Sequence, residues 1–317
     1  MKVYNNLNIN KKHQRSVIAI GNFDGIHLGH QKVINQAKQK AKKNKLPFGI
    51  ITFEPVPVMF FNPKIRNHRI NSLEQKKNQL KKLKIDFLII IKFNKFFSSL
   101  SAEQFIEKII NKKARCKFLY VSKNFKFGFK RQGNIQTLKK LENLFKYQTI
   151  ITVPLKKDKK IISSTLIRKK ISIGKIDEVK KLLNREWTVE GKVINGKKRG
   201  RKIGFPTCNI KMNDYIIPRL GVYAVKVSGL NFNKNGISNI GYRPTFNGQS
   251  LLLETNIFGI NKNLYNKDLS VSFKKFIRPE KKFKNLEHLK KQIKIDNTSK
   301  NVFSKIFKKY EMITNEK

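Results

Sequence analysis

Up to about residue 184 the chain alternates short apolar runs with stretches of helical spacing, and this alternation constrains the fold more than any other feature. Strand-like runs fall at Ser16–Ile20, Phe48–Phe53, Phe87–Ile91, Phe118–Val121 and Thr149–Val153. Helical stretches at His30–Lys43, Leu73–Leu83, Ala102–Ile110 and Ile135–Phe145 lie between them. Strand followed by helix, repeated, predicts a parallel sheet with helices on its faces. Ser164–Ile173 and Ile176–Leu183 read as two short helices, with Gly174 as the natural stop between them. After Asn184 the texture changes. Thr188–Ile194, Val222–Val227, Ile237–Ile240, Leu251–Phe258 and Leu269–Phe276 are strand-like, and turn chemistry stands at Asn195-Gly196, Asn235-Gly236 and Asn247-Gly248. This punctuation predicts a small antiparallel barrel. Leu286–Ile295 and Asn301–Tyr310 read as helices. The expected organisation is an α/β domain over residues 1–184 followed by an antiparallel β-barrel domain over 185–317.

Composition narrows the class. The 317 residues are 39% hydrophobic, enough to bury a core, so wholesale disorder is excluded. The longest uninterrupted apolar run, Phe87–Ile91, is strand-length and far short of a membrane span. Met1–Lys12 is polar and basic with no apolar stretch of the secretory kind. Cys116 and Cys208 are too few and too far apart for a disulfide framework or a zinc site. A cytoplasmic protein is expected. The net charge is +50, from 70 basic against 20 acidic residues, yet only 12 of the basic residues are arginine and the lysines run the whole length. Lys, Asn, Ile and Phe can be encoded almost wholly in A and T, so the lysine excess reads as codon drift on solvated faces. No stripe or arginine-rich arm concentrates the charge into a nucleic-acid footprint.

Gly21-Asn22-Phe23-Asp24-Gly25-Ile26-His27-Leu28-Gly29-His30 follows an apolar strand and opens a helix. Glycines let the backbone turn tightly near a ligand, and the helix start offers unpaired N–H groups and a positive dipole end. His27 and His30, three apart, share one face of the first turn. No third ligand nearby makes them a metal pair. As hydrogen-bond donors they would suit a phosphate whose charge grows in a transition state, and as plain structure they would cap or pack the turn.

The His-x-Gly-His signature resembles that of nucleotidylyltransferases. With Gly-Asn-Phe-Asp-Gly before it, the chain resembles the adenylyltransferase half of the bacterial bifunctional riboflavin kinase/FAD synthetases. Thr52-Phe53-Glu54-Pro55 is similar to the family's second strand and its exit, and Ile162-Ser163-Ser164-Thr165-Leu166-Ile167-Arg168 to its Ser-Ser-Thr-x-Ile-Arg stretch. The resemblance implies a Rossmann-like domain that binds ATP through Gly21, Asn22, Phe23, Asp24, Gly29, Ser163, Ser164 and Thr165. His27, His30 and Arg168 would be catalytic. Ser163 to Thr165 can also be a plain helix cap. Ser122-Lys123-Asn124-Phe125-Lys126-Phe127-Gly128 corresponds to the family's Gly-x-Asp-Phe-Arg-Phe-Gly, with Asn124 in place of Asp, and implies flavin contacts at Asn124 and Phe127.

In the second half, Gly191–Lys198 almost spells a phosphate loop, but Lys198 stands where Ser or Thr is needed and the flanks read as strand and turn. The segment Arg199–Ile210, with Phe205-Pro206-Thr207-Cys208-Asn209, is instead similar to the riboflavin kinase signature. Gly196 and Gly204 would admit phosphates closely and Lys202 would supply a point charge. Thr207 and Asn209 offer neutral oxygens on one side of an extended segment, which suits an Mg²⁺ ion leaning on ATP phosphates. Glu254 occupies the family's catalytic glutamate position, and periodicity alone allows a plain outward strand residue there. Asn256 stands where the family has His. Asn239–Phe246 and Ile277–Phe283 resemble two further family motifs, which imply that Arg278 lies beside the flavin or its phosphate.

Taken together, the resemblance implies phosphorylation of riboflavin to FMN, then adenylylation of FMN to FAD, with ATP as co-substrate and Mg²⁺ as metal. Riboflavin, FMN, FAD and ATP would be the partners, with no specific nucleic acid and no membrane. The sequence sets no oligomeric state.

Overall fold

A computed structural model describes residues 1–195, 204–245, 248–260, 262–281, 287–288 and 292. The chain divides into two compact units: 1–168 with 182–184, and 169–181 with 185–317. The sequence-based boundary near 184 differs over residues 169–181. They pack with the second unit because the Arg219 N–H donates to the Ile171 carbonyl at 3.3 Å and Gly174 lies against Phe276 and Arg219.

In the first unit, β1 (Lys2–Tyr4), β2 (Val17–Ile20), β3 (Phe48–Glu54), β4 (Phe87–Lys92), β5 (Phe118–Ser122) and β6 (Gln148–Thr152) form an all-parallel sheet in the order β1-β4-β3-β2-β5-β6. The inner strands β2, β3, β4 and β5 read as largely apolar runs because both faces are covered. Ile18, Ile20, Ile51, Ile89 and Leu119 enter one core cluster, while Val17, Ala19, Ile50, Leu88 and Tyr120 enter the other. Helix α1 (Leu28–Lys43) buries Ile34, Ala37 and Ala41, leaves Lys42 and Lys43 exposed and keeps Lys32, Lys38 and Lys40 half-buried. After β3 come α2 (Pro57–Phe61) and α3 (Leu73–Lys82), the latter opened by a Ser72/Gln75 capping box. Further along, α4 (Lys95–Ser98) precedes α5 (Ala102–Phe105), which continues as a π-helix over Ile106–Lys113. The strand order reverses between β2 and β5, and in open α/β sheets ligands bind at the carboxyl ends of the strands flanking such a point. Strand β1 was not expected from its polar sequence. It holds the sheet edge by pairing with β4, and the Tyr4 hydroxyl hydrogen-bonds His13 Nδ1 at 2.7 Å.

Helices α6 (Ile135–Lys140) and α7 (Glu142–Phe145) lead into β6, and a small ribbon of β7 (Lys156–Lys157) and β8 (Lys160–Ile161) leads into α8 (Ser164–Ser172) and α9 (Ile176–Leu183). In the second unit, β9 (Thr188–Ile194), β10 (Cys208–Lys211), β11 (Gly221–Gly229), β12 (Phe232–Thr245), β13 (Gly248–Ile257) and β14 (Asp268–Arg278) close a barrel in the order β10-β13-β12-β11-β14-β9. Val225, Ile240, Leu253, Val271 and Phe273 are among its buried residues. The Asn235-Gly236 turn expected from sequence is corrected. Strand β12 runs straight through it, and the hairpin turns at Leu230-Asn231, both with left-handed φ (45° and 63°). Gly236 is needed for close strand approach, since a Cβ there would lie 2.4 Å from the Asn256 carbonyl oxygen. Strand β10, only four residues long, escaped the pattern reading. The expected helices at 286–295 and 301–310 fall outside the described residues apart from 287–288 and 292.

Candidate nucleotide and flavin sites

In the first unit the turn from β2 into α1 is tied to its surroundings by almost every residue. The Gly21 N–H donates to the Ile51 carbonyl at 3.1 Å, continuing the sheet. Gly25 has φ +86°, a conformation other residues rarely adopt, and packs against Ile70. His27 caps α1: its Nδ1 accepts from the His30 N–H at 3.3 Å. The two imidazoles stack at 3.7 Å with 18° between planes, and Phe23 tilts against His30 at 5.1 Å. Gly29, in the first turn, lies against the His27 ring.

Asp24 is the node of this arrangement. Its buried carboxylate accepts from the Ile70 N–H at 2.9 Å and the Asn71 N–H at 3.4 Å, and from Arg168 Nη1 at 2.7 Å. One turn earlier on α8, the Ser164 hydroxyl donates to the Asp24 carbonyl at 2.8 Å. Ser163 accepts from the Leu166 N–H at 3.2 Å, so it is a helix cap, and Thr165 is exposed. Burial lowers the Arg168 pKa from its ordinary value, and Asp24 opposes that shift. Of the residues expected from α8, Ser164 and Arg168 therefore meet Asp24 at the turn that also carries His27 and His30, whereas Ser163 serves as a cap and Thr165 points to solvent.

Two partners here, Arg69 and Lys76, were missed from sequence. Arg69 forks onto Glu54 at the end of β3, with Nη1 donating to Oε2 at 2.9 Å and Nη2 to Oε1. Lys76 on α3 reaches the Asn22 carbonyl and the Thr52 hydroxyl. The signal for Lys76 was present: it falls between Leu73 and Leu80 on a helix face that repeats as an apolar stripe.

Asn124 is exposed just beyond β5, while Phe127 is buried between Phe125 (5.4 Å) and Phe105 (5.2 Å). From there an aromatic chain unforeseen from sequence continues through Phe97 and Phe93 to Phe60 and Phe61. Phe61 and Phe96 are 66% and 72% exposed, unusual for such large apolar rings.

In the second unit the pairing register aligns Asn209 (β10), Glu254 (β13) and Asn239 (β12), and beyond them Val222 (β11) and Arg278 (β14). The flanking Leu253 and Thr255 are fully buried, so Glu254 stands on the opposite face of its strand, as the outward alternative allowed. Asn239 Nδ2 donates to Glu280 at 3.0 Å, bringing the chain after Arg278 back beside Glu254. The Arg278 guanidinium donates to the Pro279 carbonyl at 3.1 Å. Asn209 is buried with Oδ1 lacking a partner among the described residues. An orphaned carbonyl oxygen fits a hard cation, which takes oxygen ligands. Thr207, exposed, precedes it by two residues, and Asn256 Nδ2 donates to the Pro206 carbonyl at 2.7 Å, fastening that segment. Gly204 is exposed with φ +84°. Gly196 and Lys202 lie outside the described residues.

A doubly wound sheet with an anion-receptive helix start, followed by a barrel with carboxylates set among amides, is the architecture of a two-unit protein suited to phosphate-bearing ligands. Family models place it further: one described as FAD synthetase matches residues 9–166, and one described as riboflavin kinase matches 183–303. Relatives named bifunctional riboflavin kinase/FMN adenylyltransferase include one from Buchnera aphidicola subsp. Schizaphis graminum, 42% identical and covering 91% of this chain and 94% of its own. Another, from Haemophilus influenzae, is 39% identical, covering 94% and 97%. A solved structure from Streptococcus pneumoniae, described as a macrolide-efflux protein, superposes with TM-score 0.81 at 31% identity over 93% of this chain and 97% of that one. The chain belongs to the bifunctional riboflavin kinase/FMN adenylyltransferase family. It phosphorylates riboflavin to FMN and adenylylates FMN to FAD, releasing pyrophosphate. Among the described residues, no helix is long and apolar enough to cross a membrane.

Proposed function

We propose that the two activities divide near residue 184, with FMN adenylylation at the β2–α1 turn and riboflavin phosphorylation beside Glu254. The meeting of Asp24, His27, His30, Ser164 and Arg168 at one turn supports the first assignment. The ATP phosphates lie against the Gly21–Gly29 backbone and the start of α1. His27 and His30 donate to the α-phosphate, and Arg168 offsets charge on the leaving pyrophosphate. FMN's phosphate is already ionised at neutral pH, so it attacks the α-phosphorus without a strong general base. Asn124 and Phe125, the latter backed by Phe127, take the flavin, and the exposed rings of Phe61 and Phe96 extend that apolar wall.

The register row Asn209–Glu254–Asn239 supports the second assignment. Glu254 orients and deprotonates the riboflavin 5′-hydroxyl as its oxygen attacks the γ-phosphorus of ATP. Thr207 and Asn209 would hold Mg²⁺, which when bound would supply positive charge beside the ATP phosphates. Gly196, Lys202 and Gly204 bind ATP, and Arg278 contacts the flavin. The protein works in the cytoplasm, a reading supported by two cysteines that are both free thiols. Its basic surface has no specific nucleic-acid partner.

Paired variants test the division. His27→Ala with His30→Ala abolishes FAD formation and spares FMN formation, while Glu254→Ala does the reverse when FMN is supplied. Chromatographic separation of the flavins over time reads both. FAD synthesis near the parent rate in the double histidine variant would sink the first assignment.

A further inference from the structure

Lys76 is 1% exposed, whereas the other lysines among the described residues are exposed or half-buried. Its ammonium donates to the Asn22 carbonyl at 2.8 Å and to Thr52 Oγ1 at 3.3 Å. The Thr52 hydroxyl donates to the same carbonyl at 3.1 Å. Two donors from behind therefore hold one peptide of the turn. A trans peptide is planar, with its C=O and N–H on opposite sides. Drawing the Asn22 carbonyl toward α3 and β3 points the Phe23 N–H away from them. That N–H has no backbone acceptor among the described residues. Phe23 also has φ 45°, which a non-glycine residue keeps only when its surroundings impose it.

We infer that Lys76 is a positioning residue for adenylyl transfer, pinning the Asn22–Phe23 peptide so that the Phe23 N–H meets the ATP phosphates. The inference rests on the reading of this turn as the phosphate site. The ammonium never touches substrate, being sealed beneath the turn.

The charges around Lys76 are few. Asp24 from the turn and Glu54 from the end of β3 favour its ammonium form, and Arg69 from the segment before α3 opposes it. Both carboxylates are also engaged elsewhere, Asp24 by Arg168 and Glu54 by Arg69. Burial outweighs them and brings the Lys76 pKa down to about 8. Above that pH the charge-assisted bond to Asn22 becomes a weaker neutral one. The sign for stability is opposite. With the folded pKa below the unfolded one, the cost of burying the charge is fully present below pH 8 and fades as pH rises toward the ordinary lysine value. Activity and stability thus part company across the same pH range, which a merely structural lysine would not produce.

The test uses the full chain with saturating ATP, Mg²⁺ and FMN, and riboflavin phosphorylation by the same sample as internal control. In the parent, kcat for FAD formation should fall through a midpoint near pH 8, a limb absent from FMN formation. Lys76→Met should lower kcat for adenylylation about 10-fold or more, leave the KM for ATP within about 3-fold, and abolish the alkaline limb. Thr52→Val, which removes the second donor, should cost about 3-fold and keep the limb. Full adenylylation in Lys76→Met, or an unchanged limb in it, would overturn the inference. Should Lys76→Met fail to fold, a parent enzyme without the limb, or a Thr52→Val enzyme without loss, overturns it instead. The double histidine variant separates the two levels. If it keeps adenylylation, the phosphate-site reading fails; if it loses adenylylation while Lys76→Met does not, only the role of Lys76 fails.

Discussion

The turn of the first unit is braced from behind by ions: Asp24 with Arg168, Glu54 with Arg69, and Lys76 on a backbone carbonyl. The row in the second unit holds one carboxylate, Glu254, between the amides Asn209 and Asn239, and another amide, Asn256, fastens the neighbouring segment. The difference follows from position. A turn at the end of a parallel sheet is surrounded by other chain segments, so its supports are buried, and buried charges must be paired. In the barrel row Glu254 and Asn239 are only half-buried, although Asn209 is buried, and there neutral amides suffice to orient groups while a metal can keep part of its hydration. Charge deletions should therefore hurt the first unit's stability, and amide deletions the second unit's turnover.

The largest effect should come from Asp24→Ala, which strands the Arg168 guanidinium and two backbone N–H groups. A loss of about 3 kcal/mol is expected in the first unit, read as heat inactivation of FAD synthesis with FMN synthesis surviving. Equal inactivation of both activities would break the contrast. Next, Asn209→Ala should raise the Mg²⁺ concentration for half-maximal riboflavin phosphorylation about 10-fold, with no change in the melting temperature of either unit. Asn256→Ala frees the Pro206 carbonyl and should cost about 1 kcal/mol, roughly 5-fold in kcat/KM for the kinase. A smaller contrast concerns acid. Four of the five histidines lie in the first unit. Burial, reinforced by nearby cations, lowers the pKa values of His13 and His68. A depressed folded pKa means stability is full above the ordinary histidine value and drains as pH falls below it. Shifting from pH 7.5 to 5.5 should lower the first unit's melting temperature by about 2–4 °C and the second unit's by less.

Much of this was legible because two periodicities carry it. Unbroken apolar runs separated by helical spacing gave the parallel sheet away, and the Gly21–His30 turn sits where such a sheet binds ligands. What escaped did so for identifiable reasons. Asn235-Gly236 has turn chemistry, yet Gly236 is there to let strands approach, and Leu230-Asn231 turns the chain instead. Strand β10 is too short to show alternation. Arg69 was hidden among 70 basic residues, where one buried cation in a loop reads like any solvated one until its partner is seen, whereas Lys76 could have been found from its place on the apolar stripe of α3. The Phe60–Phe127 aromatic chain joins four separate segments, a proximity that no local pattern encodes.

The lysine excess has a consequence for the surrounding medium. With 70 positive groups and 20 negative ones, there are too few carboxylates to pair with most of the cations, and some of those carboxylates are spent inside, as at Asp24 and Glu54. Such a shell pushes outward on itself, and dissolved anions relieve the pressure by screening it. Ionic strength therefore acts as a hidden fastener for this enzyme: raising salt from about 10 to 150 mM, which shortens the screening length from about 30 to 8 Å, should tighten the native state of a protein that dilute buffer would loosen.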